Sequence, residues 1–556
     1  MINLKALRLF NIIPACTLCA CFLLCANIAF AQSKSDTAKR VPIELLPGIG
    51  RLEVIETDSG AINKLIGDVA LKQGDSYLYS DSAYLNLKTN NLEAFSNVRV
   101  VQPGSTGTSD YLRYTGNIRH AYMRGSVNLT DGKDNLWSEE VNYDLNTKTG
   151  TYSNGGTLQS GTTTVSSNNG IYNLKTKDAR FTGNVIVTDP EYHIKSEDLG
   201  YHTETKVVTF FAPAVVTSDS SILKTSCGTY DTKNEIAHFT CRSSILNKEQ
   251  YLEADSIDYN RKNGIGLAKG KVIAIDTTQH TTLYSGRADY NEKRRTMLAT
   301  IKPVMKQMSG DDSLFIRADT LYSAPIPRAG DTIKVITETL NRGVGKNKRD
   351  VVTVQEVDSI AVDSNRPRQV IGYHHVLIFS DSMQGRCDSI SYSQADSVIK
   401  MMYDPIVWSR NSQITGDTIL LYMDTANELK EIYVPNNALV VSQSGPPKAG
   451  LYDQIQGKML TGYLDSNRIK ETWVRPDVET IYYSKDESDA YLGVNQATSE
   501  EMRVYFNSQQ IDRVFFERDV KQKMTPMEQA DLPGMKLSRF QWLDDKRPKS
   551  LTELFE

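Results

Sequence analysis

A carboxylate recurs along this 556-residue chain at Asp81, Asp110, Glu139, Asp255, Asp319, Asp388 and Asp417. Carboxylates in series are what general acid–base catalysis or calcium binding would require. Each, however, opens the same kind of strand, and that fixed place favours a structural role at a bend. The seven histidines are scattered. His374-His375 is the single adjacent pair, and neighbours on a strand point to opposite faces, which suits a metal poorly. The run Gly264-Ile265-Gly266-Leu267-Ala268-Lys269-Gly270-Lys271 has the look of a phosphate-binding loop. It lies at a turn and strand with no helix after it to supply a positive dipole end. No enzyme, cofactor or metal site is expected.

The elements that carry these residues repeat every 29 positions. A tyrosine-type position recurs at Leu85, Tyr114, Tyr143, Tyr172, Tyr201, Tyr230 and Tyr259, and a small or turn-forming one at Gly67, Ser96, Gly125, Asn154, Gly183, Ala212, Cys241 and Gly270. A fixed period of this size marks a stacked architecture whose units bury their apolar faces against one another. Within a unit such as Glu139-Glu140-Val141-Asn142-Tyr143-Asp144 the alternation has period two, so the segment is a half-buried strand. A polar turn and a second strand with a Gly-x-Val marker follow, as in Gly125-Ser126-Val127. The expected fold is all-β: an elongated antiparallel jelly roll or solenoid built from 29-residue, two-strand repeats.

Parity sends Val69, Leu71, Val98, Val100, Leu112, Val127, Leu129, Val141, Val185, Val187, Leu199 and Ile257 to one inward face. That lining is either a dry core between packed sheets or a groove. Small inward residues at Ala83, Gly170 and Gly228 leave missing volume, which costs stability unless filled. A long lipid chain is one such filler.

Stretches such as Gly67-Asp68-Val69-Ala70-Leu71 with Ser80-Asp81-Ser82-Ala83-Tyr84-Leu85-Asn86, and Asp255-Ser256-Ile257-Asp258-Tyr259-Asn260 with Gly270-Lys271-Val272, resemble the OstA/LptA family of lipopolysaccharide-transport proteins. The resemblance covers roughly residues 60–323 and returns at Asp388-Ser389-Ile390-Ser391-Tyr392 and Asp417-Thr418-Ile419-Leu420-Leu421. It implies an open, V-shaped β-jelly roll that holds the acyl chains of lipid A inside and leaves the sugars outside. It also implies edge strands that pair with other transport proteins or with a second copy. The chain is longer than the family's periplasmic bridge and too short to contain the large outer-membrane barrel.

Lys5 and Arg8, an apolar run from Leu9 to Phe30 and Ala29-Phe30-Ala31 read as a secretory signal over residues 1–31, cleaved after Ala31. The expected location is the periplasm, with outer-membrane association as an extension; Leu18-Cys19-Ala20-Cys21 offers a lipoprotein reading, disfavoured by the apolar residues after Cys21. Sixty-three basic against 67 acidic residues give no basic field for nucleic acid. Cys227 and Cys241 flank a turn at Lys233-Asn234 and are disulfide candidates, although parity sends Cys227 outward.

The expected organisation is an OstA-like repeat domain over 32–325, a loop or irregular insertion over 326–370, a second repeat region with longer loops over 371–520, and an irregular tail over 521–556. In the second region the repeat step lengthens to 43 and 42 residues, from Leu421 to Leu464 to Phe506. Non-enzymatic lipopolysaccharide transport is the leading function. A secreted structural or adhesive repeat protein and a carbohydrate-active β-helix enzyme are the alternatives.

Overall fold

Two strands of eleven or twelve residues per repeat, such as Ile62–Gln73 and Ser76–Asn86, must each turn a corner if their apolar faces are to close on one another. The computed structural model describes residues 41–57, 60–309, 312–328, 333–341, 349–357, 366–425, 428–465, 468–507 and 510–556. The secretory signal read over 1–31 lies outside them. Every strand pairing among the described residues is antiparallel, and 44 strands join in one continuous sheet. Among the described residues the helical turns are short 3-10 segments, such as Pro447–Ala449 and Leu551–Leu554.

The Gly-x-Val marker is the corner. The ladder shifts register there, between Ile66 and Val69, Phe95 and Val98, Arg124 and Val127, Thr182 and Val185, and Lys269 and Val272. The extra residues form a bulge that bends the strand. Both are left-handed: Gly125 has φ 81° and Ser126 47°, while Ser96 and Asn97 have 61° and 52°. At Gly125 a Cβ would also stand 2.5 Å from Asp110 Oδ2, and at Gly270 2.6 Å from Asp255 Oδ2.

The carboxylate series faces these corners. Asp81 accepts from Asn97 Nδ2 at 2.8 Å, Asp255 from Arg242 at 2.9 Å and Asp417 from Asn437 Nδ2 at 2.9 Å. His374 and His375, with φ 62° and 50°, take the place of Gly-x and face Asp388 at 3.1 Å and Asp319 at 2.9 Å. Because a bulge suspends strand parity, the two rings serve the same corner from neighbouring positions. No metal-holding cluster occurs among the described residues. Cys227 and Cys241 also meet across a corner, as a disulfide with Cα atoms 5.8 Å apart. The remaining thiol among the described residues, Cys387, is buried, and burial pushes its pKa up to about 12.

Two apolar cores run inside the bent sheet, one from Ile43 to Ala288 and one from Ala299 to Val504, here called the first and second stacks. The segment 326–370 is not simply a loop. Ile333–Asn341 pairs with Arg349–Val357 as a separate hairpin, and both strands are rich in the β-branched residues Val, Ile and Thr that favour this conformation. The main ladder bypasses it: Asp312–Arg317 and Thr320–Pro325 both pair with Arg368–Phe379. Residues 342–348, which include most of the Gly345–Asp350 charged run, lie outside the described set. The longer period of the second stack comes from loops such as 444–451 between Ala438–Gln443 and Tyr452–Gly457.

The tail is not irregular throughout: it opens as a strand, Lys521–Pro526, that pairs with Tyr491–Ser499. It runs back along the outer face of the second stack as a strap. Gln413 donates to Gln541 O (2.9 Å) and accepts from Leu543 N (2.8 Å), and Gln454 does the same with Met535 O (3.0 Å) and Leu537 N (2.8 Å). Each amide thus copies a backbone β-bridge. Arg547 bonds Gln384 Oε1 at 2.8 Å, Arg317 bonds Glu553 O at 2.8 Å, and Phe555 reaches the ring of Tyr284 at 5.6 Å.

Asp453 sits beside this strap and accepts from Tyr483 N at 2.8 Å. Burial pushes its carboxyl up to about 6 against the pull of that N–H. A carboxyl raised in the fold stabilises fully only below its unfolded value near 3.8, and that contribution is lost as pH rises through 6. Asp453→Asn keeps the acceptor and removes the charge. It is expected to raise stability at pH 7 by about 1–3 kcal/mol and to give no gain near pH 3, as read by paired denaturant melts.

Candidate lipid-binding interior

All twelve inward candidates from Val69 to Ile257 are buried in the first stack's single core, Val100 being the most exposed at 9%. The small residues do not leave space among them. A Cβ on Gly170 would collide with the Tyr152 ring, one on Gly228 with the His238 carbonyl, and Ala83 packs at 1% exposure. Two voids along this stack measure about 10 and 30 Å³.

The free ends of the bent strands meet as two lips. One carries Gln73, Gln102, Asp131, Asp134 and Ser160; the other carries the turns at Arg119, Lys148, Lys177 and Lys206. From inside, the tyrosines reach across. Tyr114 donates to Gln73, Tyr143 to Gln102 at 3.3 Å, and Tyr172 to Asp134 at 2.8 Å. Burial pushes the Tyr114, Tyr143 and Tyr172 hydroxyls up, so they remain donors throughout the ordinary pH range.

A second row closes over them. Arg119 donates to Ser76 Oγ (3.4 Å), Lys148 to Pro103 O (2.8 Å), Lys177 to Asp131 and Lys206 to Ser160 Oγ (2.9 Å). Burial pushes the Asp131 carboxyl up, but the Asp134 N–H, Lys177 and the Lys133 N–H outweigh it and hold the pKa below the usual carboxylate range. Such partly exposed ties contribute about 0.2–1 kcal/mol each, so the mouth is laced rather than welded. Sequence reasoning missed this row, although its members stand 29 residues apart.

The second stack differs. Between the turns near Met383 and Ser409 and the opposite hairpin of Met423 and Leu429, its mouth holds an apolar cavity of about 110 Å³, lined also by Ile399 and Leu464.

The ladder thus defines an antiparallel jelly roll with an apolar interior and a polar, closable mouth. Residues 47–197 match the OstA-like protein family, and residues 164–292 match the LptA/(LptD N-terminal domain) LPS transport protein family. The two matches together span residues 47–292, and over that segment the chain is similar to the OstA-like and LptA/LptD N-terminal families of LPS transport proteins. A solved structure, LptH from Pseudomonas aeruginosa, is described as the LptA-homologous periplasmic component of the lipopolysaccharide transport device. It aligns at 14% identity over 26% of this chain and 95% of that one, with a TM-score of 0.21. No curated protein matches the sequence.

Proposed function

We propose that the protein is a periplasmic carrier of lipopolysaccharide, holding acyl chains in the interior of the first stack and handing them along the sheet. The observation that carries this reading is the continuous apolar lining from Val69 to Ile257, within the segment that matches lipopolysaccharide-transport families. The antiparallel ladder disfavours a carbohydrate-active β-helix, whose coils are parallel.

Partners join at the ends of the ladder. Among the described residues Arg51–Ile55 pairs on one side only, with Ile62–Gln73, and leaves Leu52 and Val54 exposed. At the other end Gln510–Glu517 and Lys521–Pro526 each have one neighbour, and Ile511, Val514 and Met524 are exposed. Unpaired strand edges of this kind take up a further strand from another chain.

Photo-crosslinkers in living cells test both parts. One at the inward Val187 should capture lipopolysaccharide while one at the adjacent outward Ile186 should not, and one at Val514 should capture a second protein or a second copy. Equal capture at Val187 and Ile186, or none at either, would reject the interior as the lipid site.

A further inference from the structure

We infer that Arg119, Lys148, Lys177 and Lys206 form an anion-binding rail on a mouth that opens. They would hold the phosphate groups of an acylated, phosphorylated glycolipid while its chains lie inside. This rests on the carrier reading above and adds the part of the lipid that the lip recognises.

The four cations occupy one structural position. Each closes a turn on the same lip in left-handed backbone, with φ of 55°, 56°, 68° and 64°. Two strands per repeat at roughly 4.8 Å each place neighbours about 10 Å apart. A headgroup bearing two phosphates can engage adjacent members at this spacing.

Their present partners match them poorly. Ser76 Oγ, Pro103 O and Ser160 Oγ are neutral, and only Lys177 meets a carboxylate. Arg119 Nε is buried without a hydrogen-bond partner, and so is Tyr201 Oη, whose ring lies 5.8 Å from Lys206 Nζ. Charge-assisted bonds to phosphate are stronger than those to a hydroxyl or an amide carbonyl, so exchange favours the anion.

The acids of the opposite lip do not depend on the cations. Asp134 accepts from Ser160 Oγ at 2.6 Å, Asp189 from Thr163 Oγ1 at 2.7 Å, and Asp131 from the N–H groups of Lys133 and Asp134 at 2.9 and 2.8 Å. Parting the lips therefore separates the charges, with the acids satisfied on their own side and the cations left free on the other. Parting is also required, because the voids beneath, of about 10 and 30 Å³, admit no chain while the lips are laced.

The test compares wild type with the quadruple variant Arg119→Gln, Lys148→Gln, Lys177→Gln, Lys206→Gln, and with Lys148→Gln alone, which loses only a tie to an exposed carbonyl. The probes are bis-phosphorylated lipid A and the same acylated disaccharide without phosphates, in identical micelles. We expect the quadruple variant to bind the phosphorylated lipid about tenfold or more weakly, with Lys148→Gln intermediate and binding of the dephosphorylated lipid unchanged. Inorganic phosphate at the lipid's concentration should not compete. Equal loss for both lipids, loss for neither, or competition by inorganic phosphate would overturn the rail while leaving the carrier reading in place. A wild-type protein that binds neither lipid would overturn both.

Discussion

Removing residues 527–556 should yield a protein that self-associates through the second stack while its first stack stays native. The strap covers an outer sheet face on which apolar side chains lie among glutamines such as Gln413 and Gln454: Trp408, Ile481, Tyr483 and Val494 are all buried, and the last three pack against strap residues Met527, Leu532, Met535 and Leu537. A contiguous apolar patch laid open on a soluble protein drives association. Sedimentation velocity should show concentration-dependent oligomers, and Trp408 fluorescence should become quenchable. A monodisperse truncated protein with a shielded Trp408 would show that the strap is decoration.

Gln413 gives the same claim a sharper form. Gln413→Ala leaves Gln541 O and Leu543 N unpaired under the strap, which costs about 1–3 kcal/mol. Gln413→Glu keeps the acceptor for Leu543 N but turns a donor into a charge facing a carbonyl. It should therefore be worse than Ala at neutral pH. The raised carboxyl would regain its proton, and the variant part of its stability, as pH falls.

The strap also shows where sequence reasoning stops. The 29-residue phase revealed the strands, the inward face and the family, because those features recur locally and parity is rigid within a strand. Gln384 and Gln413 keep that phase too, but their partners lie 163 and 128 residues downstream in a tail without period. The corners were visible as the turn-forming marker, Ser96 included, yet His374-His375 hid among strand residues because the pair stands where other corners carry Gly-x. The disulfide was obscured for the same reason: parity placed Cys227 outward, and at a corner parity does not apply. For the mouth, the basic row was in phase, but its ties reach 43 to 46 residues back to the other lip, a relation set by the bend of the sheet.

Val185→Glu should unfold the first stack and spare the second. Val185 is 1% exposed, sits beside a corner and pairs with Ser196, and the cluster of buried residues around it contains no cation. Burying an unpaired carboxylate costs several kcal/mol, far more than the on the order of 2 kcal/mol expected for the cavity in Val185→Ala. The two cores share no buried residue, so thermal unfolding should split into an early step for the first stack and a nearly unshifted one for the second. The same melts decide what the interior holds. A ligand that binds only the folded state raises stability by about 2.7 kcal/mol at a hundredfold excess over Kd. Lipid A should therefore lift the first-stack transition of the wild type and of Val185→Ala. It should do nothing for Val185→Glu, whose charge stands where an acyl chain would lie. If lipid A leaves every wild-type transition unmoved, the lining from Val69 to Ile257 is a dry core and the lipid must travel elsewhere on the molecule.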